Sequence, residues 1–189
     1  MIERYTLPEL GKIWSEDSKF QSWLDVELAA CQANFELGKI TKEDLDKIQT
    51  KSKFNVERIK EIEEEVKHDV IAFLTNLNEY VGDAGRFIHV GMTSSDILDT
   101  GLSLQLRESC NLLINEIEEL ENAIRNLASQ HKDTLMIGRS HAIHGEPISF
   151  GFKLAGWLAE VIRDKKRLKD LKKNIAIGQI SGAMGTYAN

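Results

Sequence analysis

Apolar residues recur at intervals of three and four through most of this chain, the period of helices that bury one face. Phe20, Trp23, Leu24, Leu28, Cys31 and Phe35 keep that spacing, with Glu27 set among them. Ser15 and Asp17 offer N-cap oxygens ahead of the run and Gly38 stops it, which predicts a helix over Asp17–Leu37. Two shorter helices are predicted over Thr41–Gln49 and Asn55–Val66, the first opened by Thr41 with Asp44 three residues on, a weak capping-box pattern. The acidic run Glu61–Glu65 reads as a solvated face. Val70, Phe73, Leu74, Leu77 and Val81 mark a further helix over Asp69–Tyr80, with Asp69 as N-cap and Gly82 as stop. Gly82–Thr93 has no helical stripe, and the alternation of Ile88, Val90 and Met92 predicts a loop with a short extended piece.

From Asp96 to about His131 the apolar positions Leu106, Cys110, Leu113, Ile117, Leu120, Ile124 and Leu127 follow a strict four-three alternation. Such a helix is roughly 50 Å long at ~1.5 Å per residue and must find partners for its seam. Pro147 suits the first turn of a second long helix running to about Asn174. In its first half Phe150, Phe152, Leu154, Trp157, Leu158, Val161 and Ile162 surround most of the circumference, which predicts burial on several sides; Arg163–Lys173 is strongly basic. The glycine-rich run Gly178–Asn189 brings no closing helix, and the sequence reads as cut off there. The expected fold is all-α: a small N-terminal helical domain over 1–111, then the start of a long-helix bundle over 112–189, with short extended segments confined to loops.

Composition narrows the function. The 189 residues are 42% apolar and 29% charged, an ordinary soluble globular balance. With 24 Lys plus Arg against 30 Asp plus Glu, the net charge of −6 argues against a nucleic-acid partner. No run approaches the ~18 apolar residues of a membrane span, so no membrane partner is expected. The N-terminus has no apolar leader segment, and Cys31 and Cys110 form no CxxC pattern, which suits a cytoplasmic protein with two buried thiols. No metal is expected: His141 and His144 supply at most two ligands, with Glu146 poorly placed for a third. No Gly-x-Ser-x-Gly elbow occurs, and Gly182–Gly185 reads as a tight turn and not a phosphate loop.

His68, His89, His141 and His144 fall at segment boundaries and not on apolar stripes, whereas His131 reads as solvent-facing. Lys67-His68-Asp69, Thr93-Ser94-Ser95-Asp96 and Gly138-Arg-Ser-His-Ala-Ile-His-Gly-Glu-Pro147 each lead into a predicted helix. Unpaired N–H groups and the positive dipole end make such starts able to bind a carboxylate or phosphate. Plain capping is the alternative for any one of them, since Ser, Thr and Asp are what a helix start prefers.

Gly91-Met-Thr-Ser-Ser-Asp-Ile-Leu-Asp-Thr100, Gly138–Pro147 and Ser181-Gly-Ala-Met-Gly-Thr-Tyr-Ala-Asn189, in that order, closely resemble segments of the bacterial-type adenylosuccinate lyase family, within the fumarase and aspartase superfamily. Arg4-Tyr5 and Lys67-His68-Asp69 match the pattern too, so the resemblance runs the length of the chain. It implies a lyase that eliminates fumarate from adenylosuccinate to leave AMP, and from the succinyl-carboxamide ribonucleotide (SAICAR) to leave AICAR, without a cofactor. By the same match His141 is the general acid and Ser140 lies beside it at the succinyl carboxylate. His68 orients or protonates the substrate between Lys67 and Asp69, and Arg4 and Tyr5 hold phosphate. Thr93 and Ser94 hold substrate through their hydroxyls, and His89 lies near the site. The family assembles as a homotetramer whose site draws on three subunits, and its serine base sits on a loop of the pattern Ser-Ser-x-Met-Pro-x-Lys-x-Asn that is absent here. The chain alone is therefore expected to be inactive. Two other readings stand beside this one: another fumarate-releasing lyase of the superfamily, or a non-catalytic helical oligomerisation module whose heptads merely assemble.

Overall fold

In the computed structural model, which describes residues 2–188, the N-terminal helices begin where side-chain oxygens meet free backbone N–H groups. A 3-10 turn at Glu3–Tyr5 and a short helix α1 (Pro8–Ile13), neither predicted from periodicity, precede α2 (Glu16–Glu36). Ser15 caps α2, Thr41 caps α3 (Lys42–Lys51) and Asn55 caps α4 (Val56–Val66), each accepting from the N–H three residues on. The Thr41 hydroxyl also donates to Asp44 at 2.9 Å. In α5 (Asp69–Val81) the N-cap is His68, one residue before the predicted Asp69: the His68 backbone is extended and its Nδ1 accepts from Ile71 N–H. The segment after Gly82 is not extended. It forms a 3-10 turn over Gly82–Phe87 and then tight turns as far as Thr93.

The chain divides into two compact units, 1–106 with 176–189, and 107–175. The glycine-rich tail, placed by the sequence division with residues 112–175, groups with the first unit. An aromatic cluster centres that unit: Phe20 stacks on Phe73 at 5.7 Å, and Trp23 meets both rings edge-on at 5.1 and 5.5 Å. Such pairs add about 0.5–1.5 kcal/mol each beyond their buried area. Leu45, Ile48, Ile59, Leu77 and Ile97 complete the core. The long helix α6 (Ser94–Gln130) lays its first turns here, and a Cβ at Gly101 would come within 2.8 Å of the Trp23 ring.

The second unit holds the remainder of α6, an antiparallel hairpin of β1 (Leu135–Ser140) and β2 (Ile143–Ser149), and α7 (Phe150–Ile175). Pro147 therefore does not open a helix: it pairs with Ile137 in a two-stranded ribbon, where a missing N–H is tolerated. The helix begins three residues later, where Thr134 and His131 carbonyls accept from Phe150 and Gly151 N–H. The backbones approach so closely that a Cβ at Gly151 would lie 2.5 Å from the Ala128 carbonyl. Cys110, Ile114, Ile124 and Leu154 are buried, but Leu113, Leu120 and Leu127, at seven-residue intervals, stay 42–49% exposed. The first half of α7 is likewise open, contrary to the burial its apolar circumference predicts: only Gly151 and Leu154 are buried, and Phe152 is 70% exposed. Within this unit a single face of α7 is covered. Its basic half is tied to α6 instead, through Lys169 on Glu118 at 2.8 Å and Lys165 on Glu121. Among the described residues no helix is long and apolar enough to cross a membrane.

Candidate functional site

Asp96 organises the most elaborate of the predicted positions. It is fully buried, and its carboxylate accepts three backbone hydrogen bonds, from Thr93 at 2.9 Å, Ser181 at 3.0 Å and Gly182 at 3.2 Å. Burial pushes the carboxyl up, but the N–H groups of Ser181, Thr93 and Gly182 outweigh it and hold Asp96 below the usual carboxylate range. Thr100, one turn further on, donates to the Gln179 carbonyl at 3.0 Å and accepts from the Gln179 N–H at 2.9 Å. The tail is thus fastened to the helix start that carries Thr93 and Ser94, both partly exposed. Asn189, the last residue of the tail motif, lies outside the described residues.

His89 has a different anchor. Its φ of 66° lies in the left-handed region, which costs a non-glycine residue on the order of 1 kcal/mol. That conformation presents both its amide N–H and its Nδ1 to Glu27, at 2.9 and 2.6 Å. Glu27 is 1% exposed, in the middle of the apolar face of α2. One turn later the Cys31 thiol is pushed up to about 12, first by burial and then by the negative charge of Glu27, so it stays protonated.

Lys67, with φ of 53°, ends α4 and pairs with Glu64 at 2.9 Å. This left-handed residue reverses the chain into the extended His68, whose Nδ1 lies 3.3 Å from Asp69 Oδ1. Asp69 also accepts from the Val70 N–H at 2.8 Å. The triplet is a junction between two helices, with all three side chains open to solvent. Arg4 places its guanidinium over the Tyr5 ring at 4.7 Å, and both side chains are exposed.

In the second unit Ser140 ends β1 and His141 begins the turn. His141 and Ala142 have φ of 53° and 63°, and Ser140 pairs with Ile143 on either side of them. This is a two-residue type I′ turn, normally built from Asn and Gly. His141 stands at the exposed tip of the ribbon. Midway along the ribbon Gly138 faces the bulged strand β2, where a Cβ would lie 2.6 Å from the Glu146 carbonyl. His144 is exposed on β2, and His131 contacts Thr134 at 3.1 Å at the end of α6.

The first unit therefore holds Arg4, Tyr5, Lys67, His68, Asp69, His89, Thr93 and Ser94, and the second holds Ser140 and His141. Two recesses hold none of these side chains. One, of about 470 Å³, is lined mainly by apolar residues such as Ala33, Leu37, Val90, Met92 and Ile180. The other, of about 710 Å³, lies by Arg125, Lys132, Ser149 and Phe152. Among the described residues no group of three or more His, Cys, Asp or Glu could hold a metal ion. Sequence reasoning passed over Glu27, Thr100 and the holding role of Asp96. Two signals were available: a carboxylate on an apolar stripe, and a hydroxyl followed by an acid three residues on, the capping-box spacing.

The lyase family profile matches residues 3–189. The chain is 62% identical over its whole length to an adenylosuccinate lyase of Synechocystis sp., and 50% and 44% identical to those of Aquifex aeolicus and Bacillus subtilis. It spans about 44% of the length of each of these relatives. Among solved structures, a fumarate lyase from Mesorhizobium sp. superposes with a TM-score of 0.88 at 32% identity, over 95% of this chain and 43% of that one. A 3-carboxy-cis,cis-muconate lactonizing enzyme from Pseudomonas putida gives the same TM-score at 28% identity, over 97% of this chain and 44% of that one.

Proposed function

The chain belongs to the lyase family, and from that premise we propose that it is the N-terminal share of an adenylosuccinate lyase, which releases fumarate from adenylosuccinate to leave AMP and from SAICAR to leave AICAR. One observation carries the reading: 62% identity over the whole length of the chain to an adenylosuccinate lyase. A base removes a proton beside a succinyl carboxylate, charge builds on that carboxylate, and the C–N bond breaks as an acid protonates the departing nitrogen. His141 supplies the acid: its exposed place on a stiff turn lets the imidazole reach a substrate held by other elements, and imidazoles exchange protons near neutral pH at little cost. Ser140 beside it donates to the carboxylate.

Thr93 and Ser94 add hydroxyls at the positive end of α6 for the substrate's anionic groups. His68, held between Lys67 and Asp69, orients or protonates the substrate, Arg4 with Tyr5 takes the phosphate, and His89 completes the binding groups. The base comes from the part of the enzyme beyond this chain, and the working form is a cytoplasmic homotetramer. The equal superposition on a fumarate lyase and a muconate enzyme keeps another superfamily lyase as the second reading, but the identity falls there to 32% and 28%.

The test uses the full-length protein that carries this chain. It should release AMP and fumarate in equal amounts from adenylosuccinate, and its His141→Ala variant should lose about 10²- to 10⁴-fold in kcat, the usual worth of a positioned acid. The 189-residue chain by itself should give no turnover. Release of fumarate from argininosuccinate but not from adenylosuccinate would install the second reading.

A further inference from the structure

A carboxylate in the middle of an apolar helix face is the least expected feature of the first unit. Removing an ion from water costs several kcal/mol unless its lone pairs are met, and apolar residues of like size commonly serve such positions as well or better. Glu27 is 1% exposed, and both of its oxygens are used by one residue, through the His89 amide at 2.9 Å and Nδ1 at 2.6 Å. His89 for its part adopts a left-handed backbone, which brings those two groups to one carboxylate. Two unfavourable local choices on segments 62 residues apart thus meet in a single contact.

We infer that Glu27 is a positioning residue for the lyase reaction: from the core side of α2 its carboxylate fixes the amide and Nδ1 of His89, and so presents Nε2 as the ring nitrogen offered to substrate. The inference rests on the proposed function, with His89 at the substrate. An ionised carboxylate has only lone pairs to give, so the proton between the two groups sits on Nδ1 and the ring is held to one tautomer. Nδ1 cannot then compete as an acceptor, and Nε2 faces its ligand in a fixed role. Met92 donates its N–H to the His89 carbonyl at 3.3 Å, so the same anchor sets the start of the turn that leads into Thr93. Partners that orient metal-binding histidines are commonly worth about 10- to 100-fold in affinity or activity, and the same order is expected where the histidine meets a substrate.

Two measurements decide it. In the chain labelled with ¹⁵N-histidine, the His89 imidazole should show a protonated Nδ1. In Glu27→Met, whose apolar side chain suits the surrounding face and preserves folding, that signature should disappear; an unchanged signature overturns the inference. In the full-length enzyme Glu27→Gln should lower kcat/KM by about 10- to 100-fold, yet by less than about twofold when His89 is already alanine, because coupled residues are not additive. Equal losses in the two backgrounds would show Glu27 acting on the core and not through His89. If the full-length protein fails to turn over adenylosuccinate at all, it is the proposed function that falls, while the ring-nitrogen signature still decides whether Glu27 sets His89.

Discussion

Asp96 shows how much can depend on one buried carboxylate. With alanine there, three backbone N–H groups lose their acceptor at once. At about 1–3 kcal/mol for each buried donor left unsatisfied, and with relaxation of the tail, Asp96→Ala is expected to lose about 2–4 kcal/mol in urea unfolding. The folded-state pKa of Asp96 is depressed, so its contribution is present above the unfolded value, about 3.9, and drains away as pH falls through the folded one. Unfolding free energies at pH 6 and pH 3 should therefore converge in Asp96→Asn relative to the parent; an equal pH dependence in both would contradict the assignment. The acid at this position was legible as a helix cap. Its partners were not, because Ser181 lies 85 residues away and nothing in a short-range pattern announces it. The partner of Glu27 was hidden for the same reason, being a histidine 62 residues on.

At the scale of elements, the sequence pattern located six of the seven α-helices of the described residues to within about three residues, missing only α1. The hairpin was missed. Its turn carries His-Ala where Asn-Gly would signal a type I′ reversal, its alternation is interrupted by Gly138 and a bulge, and Pro147 imitates a helix start. A turn made of two left-handed L-residues is a local expense that relief should reveal. Ala142→Gly is expected to raise stability by about 0.5–1 kcal/mol, while Gly138→Ala, whose Cβ would meet the Glu146 carbonyl at 2.6 Å, should lower the melting temperature. Thermal unfolding followed by circular dichroism checks both signs. On α6 the four-three alternation was read correctly as helix, yet it could not tell covered positions from open ones, because periodicity marks which residues share a face and not what lies against it.

For the molecule as a whole, the open faces matter most. Leu113, Leu120 and Leu127 on α6, with Phe152 and Trp157 on α7, are 42–70% exposed, large apolar side chains left to water. The purified chain is expected to self-associate, with a mass above 21.4 kDa in light scattering that rises with concentration; a concentration-independent monomer would count against it. Overall helical character and the order of the motifs could be read from the sequence. How the tail returns could not, since it depends on contacts between residues 79 to 86 positions apart.

That return has a kinetic side. Joining Ser181 to Asp96 closes a ring of 85 residues, an entropic toll that shrinks only once α6 and α7 have already folded back on each other. The tail is accordingly the last segment to dock and the first to let go. Native-state deuterium exchange should find the Ser181 and Gly182 amides opening at lower free energy than those of α2 and α5, and in Asp96→Ala they should exchange at nearly the rate of free peptide while the aromatic cluster keeps its protection.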